Sequence, residues 1–157
     1  MSITSGMKGV VEDAAAHAVN GCSCSQAIAY AFSQHYDLDN KLFLQISTGL
    51  SGGMGGAGET CGVVSAGVIV LGAIFGPRAI DDGRSRQRTV TLSSEFVGSF
   101  IQANGSTLCS KLSYGADLHT LEGAIALRES GRPEQLIRSG AQLLYLLLSR
   151  EISNAQA

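Results

Sequence analysis

The chain has 157 residues, a formal net charge of −2, and only 15% charged against 45% hydrophobic residues. That length favours one domain and lets roughly 70% of the unfolded surface be buried, so no disulfide is needed to supply a core. The near-neutral balance excludes a nucleic-acid or acidic-lipid binder held by charge. Charged content below the ~25% usual for soluble domains predicts a partly covered surface, with a homo-oligomer, a dimer first, as the expected cover.

Apolar residues recur at i, i+3 and i+4 and strand signals are weak, so the spacing predicts an all-α bundle of seven to eight helices in one domain, 1–157. The opening "MSITSGMKGVVEDAAAHAV" has no continuous apolar core and carries Glu12 and Asp13, so no secretory leader is read there and a cytoplasmic location is expected. Helices are predicted over Lys8–Ala18 and, after Gly21, over Ser25–His35. Asp39 is the expected N-cap of a third, Lys41–Ser47. A glycine-rich loop follows, then Thr60–Phe75. The Val and Ile in that stretch also allow a buried strand, but its length and its small residues Ser65, Ala66, Gly67, Gly72 and Ala73 favour a closely packed helix. The apolar run Cys61–Gly76 is shorter than the ~20 residues a membrane span needs. Past Pro77, helices are predicted over Ser85–Ala103, Leu108–Leu112, Leu118–Glu129 with Asp117 as N-cap, and Glu134–Ile152. Leu136, Ile137, Leu143, Leu144, Leu147 and Leu148 give the last one an apolar face.

"GGMGGAGETCG" contains G-x-G-x-x-G at Gly53, Gly55 and Gly58. A dinucleotide site needs a strand before that pattern, whereas "FLQISTGL" reads as helix then turn, and no Lys-Ser/Thr follows for a P-loop. The loop ends instead on Glu59, Thr60 and Cys61 at a helix start, where amide N–H groups and the dipole favour negative charge. A lowered thiol pKa is expected at Cys61. Gly53, Gly55, Gly56 and Gly58 would let backbone come close to whatever binds there, with Glu59 capping the helix or orienting Cys61.

Cys24 and Cys109 also begin predicted helices, Cys109 after the stop-and-cap string "NGST". Three cysteines at three helix N-termini point to one sulfur-lined, electropositive pocket. In a cytoplasmic chain persistent disulfides are rare, which leaves core thiols, metal ligands or redox groups. The spacing matches no common C-x-x-C zinc or ferredoxin pattern, and no C-x-x-C-H is present for haem.

"GCSCSQAIAYAF", "GLSGGMGGAGETCGVVSAGVIVLG" and "FIQANGSTLCSKLSYG" resemble the motifs of the C-GCAxxG-C-C family, described as redox-active proteins and related to a domain of split-Soret cytochromes. The resemblance runs from about Val19 to Gly115. It implies an α-helical domain with clustered cysteines in a redox or iron–sulfur role, and puts the first three family cysteines on Cys24, Cys61 and Cys109. The family's fourth falls near the start of the last helix, where this chain reads "SGRPEQLIRSGAQLL", with Arg132 and Pro133 and no cysteine. Cys22 is the expected replacement. Residues i and i+2 of a helix point about 200° apart, so Cys22 should lie in the loop ahead of the helix and Cys24 at or just before its first turn.

Three functions are then expected. The first is an electron-transfer protein holding an iron–sulfur cluster through Cys22, Cys24, Cys61 and Cys109. The second is a metal-free thiol–disulfide protein, with Cys61 as the low-pKa thiol and Cys24 or Cys109 resolving it. The third is a structural or interaction module with a four-cysteine zinc site or only buried thiols. His17, His35 and His119 read as surface or capping groups, with His119 a substitute ligand. Arg78, Arg84, Arg86 and Arg88 read as a solvated face or a docking patch for an acidic redox partner. No acid–base pocket is read, and enzyme activity is left open.

Overall fold

The computed structural model describes residues 3–156. Among them are eight helices: α1 (Ile3–Val19), α2 (Cys24–His35), α3 (Asn40–Thr48), α4 (Gly62–Phe75), α5 (Gly83–Asn104), α6 (Cys109–Leu112), α7 (Leu121–Glu129) and α8 (Arg132–Gln156). The expected all-α architecture holds, and the Val/Ile-rich stretch is helix α4 rather than a strand.

Local signals explain most of the helix starts. Ser23 and Gln26 form a reciprocal capping box at α2. Asp39 Oδ1 accepts from the Leu42 amide at 2.9 Å, as expected, and Asp82 Oδ1 accepts from the Ser85 amide at 3.0 Å at the head of α5. Gly105, at φ 86°, ends α5 in the left-handed conformation.

Several boundaries differ from expectation: α1 begins at Ile3 rather than Lys8, α8 spans Arg132–Gln156 rather than Glu134–Ile152, and two helix starts differ in their local chemistry. Glu59, Thr60 and Cys61 do not open α4: Thr60 pairs in a short antiparallel bridge with Leu108, and Cys61 is the N-cap. The bridge takes up backbone groups that an extra helical turn would have used. Likewise Asp117 does not cap α7. It accepts from the His119 amide, and Thr120 caps the helix by accepting from the Gly123 amide at 3.1 Å.

Helix α4 is apolar almost all round and runs through the middle of the molecule, against α2 on one side and α5 and α8 on others. Helix α1 lies on α2 and α8. Phe32, Phe96, Phe100, Ile28, Leu71, Ile137, Leu144 and Leu148 are fully buried between them. Each large apolar side chain so buried contributes about 1.5–3 kcal/mol. The small residues of α4 and α8 make the close packing possible: a Cβ on Gly67 would run into the Phe96 ring, and one on Gly140 into Val63. No helix among the described residues is long and apolar enough to cross a membrane.

Candidate functional site

At one end of this core lies a cavity of about 230 Å³ whose lining includes Cys22, Cys24, Cys61 and Cys109. The rest of its wall is mostly apolar, with Leu112, Leu118, Leu127, Leu136 and Ile137, together with Arg128. The four cysteines come from three stretches of chain, and each is seated by identifiable local chemistry.

Cys22 lies in the loop after α1, where Gly21 turns the chain at φ 102° and the Cys22 amide donates to the His17 carbonyl at 3.0 Å. Ser23 is the extended N-cap, so Cys24 is the first residue of α2. This is the loop-then-helix arrangement that two cysteines at i and i+2 need to face one centre. Ser25, fully buried, donates from Oγ to the Ser47 carbonyl at 2.9 Å and so fixes the start of α2 on the end of α3. A Cβ on Gly62 would stand only 3.0 Å from both Cβ and N of Ser25. The bare α-carbon of Gly62 therefore lets the starts of α2 and α4 touch, and brings Cys61 beside Cys24.

Cys61 and Cys109 are tied by the bridge. The Cys61 amide donates to the Thr107 carbonyl at 2.7 Å, the Cys109 amide to the Glu59 carbonyl at 2.6 Å, and the Ser110 amide to the Gly58 carbonyl at 2.9 Å. The glycine loop buttresses this pairing. Gly52 to Gly56 all have positive φ, from 62° to 86°, with Met54 the one non-glycine among them. Gly53 is buried under Cys109, and a Cβ there would lie 2.6 Å from Cys109 Cβ and 2.8 Å from the Glu59 nitrogen.

The glycines thus act from behind the wall. Gly53 backs Cys109, Gly58 backs Ser110, Gly56 lies against the His119 ring, and Gly55 faces open space. None of Gly53, Gly55, Gly56, Gly58 and Glu59 lines the cavity; Gly52 and Gly62 do. Glu59 is exposed, and α4 has no side-chain cap from it. Gly62 had a signal in the sequence, since it directly follows Cys61 in "GETCG". Arg128 and Leu127 had none, and although Leu136 was legible as part of the apolar face of α8, nothing local says that this face meets the cysteines.

The electrostatics differ from expectation. Burial, then the neighbouring charges of Cys61 and Cys109, push the Cys24 thiol up to about 12, with Arg128 opposing. Burial and Cys61 push Cys109 up to about 11. Cys61 is also raised by burial; the Val63 and Val64 amides and Arg132 pull the other way without prevailing. The expected low-pKa thiol at Cys61 is therefore absent. The helix start is where it should be, but desolvation of a thiolate outweighs the first-turn amides. All four cysteines are free thiols. Among the described residues, no three His, Cys, Asp or Glu side chains stand close enough to grip a single metal ion. The sulfurs surround a space rather than a point. Four soft donors set around one cavity are a ligand set of the kind that metal centres use.

The histidines lie elsewhere. His17 shares a 3.0 Å hydrogen bond with Gln34, His35 stands edge-on to Tyr36 and Tyr145, and His119 is exposed beside Gly56. The arginines of "RSRQR" sit beyond the far end of α4, about 21 Å along the helix from Cys61 at 1.5 Å per residue. Arg88 there covers Phe75 and pairs with Glu151 at 3.2 Å.

Fold and site together define an α-helical domain built round a sulfur-lined cavity. The family model described as "Putative redox-active protein (C_GCAxxG_C_C)" matches residues 22–144, and the chain belongs to that family. No curated protein and no solved structure matches the chain.

Proposed function

We propose that this chain is an electron-transfer protein that holds an iron–sulfur cluster through Cys22, Cys24, Cys61 and Cys109. The observation that carries the reading is the lining of one cavity by four cysteines from three separate stretches of chain. Such a group, when bound, accepts and returns electrons without breaking bonds in the protein. The chain supplies the rest. Two helices of ordinary length, α2 and α4, present their N-termini to the sulfurs, and their first-turn amides favour the negative charge of thiolates. Leu118, Leu127 and Leu136 keep the surroundings apolar, which favours retention of the group over hydrolysis. The high thiol pKa values belong to the metal-free state; ligation to a cation removes the proton outright.

A second reading is supported by the mutual influence of Cys24, Cys61 and Cys109, which stand near enough for their charges to repel. In it two of these thiols lose two electrons and two protons to an acceptor and form one disulfide. The raised pKa values make it a slower chemistry at neutral pH. The reading as a zinc module has least support, given the spread of the donors. A cytoplasmic location, a homodimer and a redox partner protein accompany the first reading; exposed Val19, Tyr114 and Leu121 near the cavity support a covered face there.

Anaerobic purification followed by absorption spectroscopy separates the readings. A brown protein with a broad band near about 400 nm supports the cluster. A colourless, metal-free protein whose thiols cycle with a reductant supports the second, and a colourless zinc protein inert to reductants the third.

A further inference from the structure

We infer that Arg128 and Arg132 are positioning residues of the cysteine site, holding two cysteine-bearing segments in place and supplying the positive charge that balances the sulfurs. The inference rests on the reading that thiolates of the four cysteines hold an anionic group in the cavity.

The charge inventory is the first argument. Among the described residues lining the cavity, Arg128 is the one charged side chain, and no carboxylate is present. A thiolate-ligated group in an apolar cavity is costly without a compensating cation. Three other arginines are matched: Arg138 pairs with Glu12 and Glu134, Arg150 with Glu95 and Glu151, and Arg88 with Glu151, while Arg78, Arg84 and Arg86 lie beyond the far end of α4, away from the cavity. Arg128 and Arg132 pair with no carboxylate among the described residues, so their charge is available to the sulfurs.

Hydrogen bonding is the second. Arg128 Nη2 donates to the carbonyl of Gly21, the residue before Cys22, at 3.4 Å. Arg132 Nε donates to the carbonyl of Leu112 at 3.3 Å, closing the short helix that Cys109 begins, and its guanidinium lies 5.5 Å from the Tyr114 ring centroid. The loop that carries Cys22 and the short helix that Cys109 begins are thus each held through backbone by an arginine. Both arginines flank the single connection between α7 and α8, so one piece of chain places both charges.

The test compares Arg128→Gln, Arg132→Gln and Arg128→Lys with the natural chain. In cluster-loaded protein, loss of either positive charge disfavours the reduced state. The oxidised-to-reduced ratio at fixed poise should rise about tenfold in each Gln variant, a lowering of about 59 mV for a one-electron couple. Arg128→Lys should recover most of the change. Unaltered potentials in Gln variants that keep full iron content overturn the charge role and leave the cluster reading standing. If the natural chain takes up no iron, the cluster reading fails on its own, and the arginines are judged on the reduced, metal-free protein. There Arg128→Gln should speed amide hydrogen exchange in the loop around Cys22 several-fold, and Arg132→Gln in the turn after Leu112, while α2 and α4 stay protected. Unchanged exchange in both segments overturns the inference.

Discussion

Gly53 holds a φ of 73° with its α-carbon pressed under Cys109. Gly55 shares the positive φ, at 65°, but faces open space. The pair separates backbone strain from packing. Gly55→Ala should cost about 1–2 kcal/mol, the left-handed penalty alone. Gly53→Ala should cost that and about 1–3 kcal/mol more for the forced displacement of Cys109, read as the difference in urea midpoints. Equal midpoints would show that Gly53 does not seat the cysteine. Cys24 gives a second test at this scale. Its folded value, about 12, lies above the ordinary 9.0, so its protonated form stabilises the native state fully below pH 9.0. That contribution falls away as pH rises toward about 12. The reduced, metal-free protein should therefore lose stability as pH rises from about 9.0 toward about 12, and Cys24→Ala should lose less. Identical slopes would contradict the assignment. Cys24 and Cys109 begin their helices as read from the sequence, whereas Cys61 is the N-cap of α4 rather than part of its first turn, and the sequence misled on its thiol. Helix position is written locally, whereas burial is decided by α6, α7 and α8, remote in sequence.

Among the helices, α7 stands apart. None of its residues is buried, Leu121 is 77% exposed, and its main neighbour is α8. Its start is fixed only by the local Thr120 cap. Hydrogen exchange should therefore be much faster in α7 than in α2 or α4, under conditions where the fold stays intact. Protection of α7 equal to that of α4 would mean that something other than α8 holds it. Helix α4 is the opposite case. Gly140→Ala should destabilise the protein by about 1–3 kcal/mol by driving α8 off Val63, whereas Gly98→Ala, with open space around it, should be neutral or stabilising. The helical periods made nearly every element legible. The starts of α4 and α7 were not, because Thr60 pairs with distant Leu108 and because Asp117 and Thr120 offer competing caps within one turn of each other.

At the scale of the molecule, the site is where three chain reversals meet. The loop after α1, the glycine loop and the turn before α6 converge on one end of the core, and α7 and α8 supply the remaining wall. The glycine loop shows why half of such a site stays hidden in sequence. Its richness in glycine was plain, but its purpose is to let Cys109, Ser110 and His119 approach from behind, and those contacts are between segments far apart in the chain. "RSRQR" likewise lies about 21 Å along α4 from Cys61, a separation legible only once α4 was known to lie between them. The central claim is that four cysteines, Cys22 included, hold one polynuclear group. It is tested most directly by the iron and acid-labile sulfide content of anaerobically purified natural chain beside its Cys22→Ser variant. The account predicts several irons and matching sulfide per chain in the first and a marked loss in the second; an iron-free natural chain, or full iron and sulfide in Cys22→Ser, would contradict it.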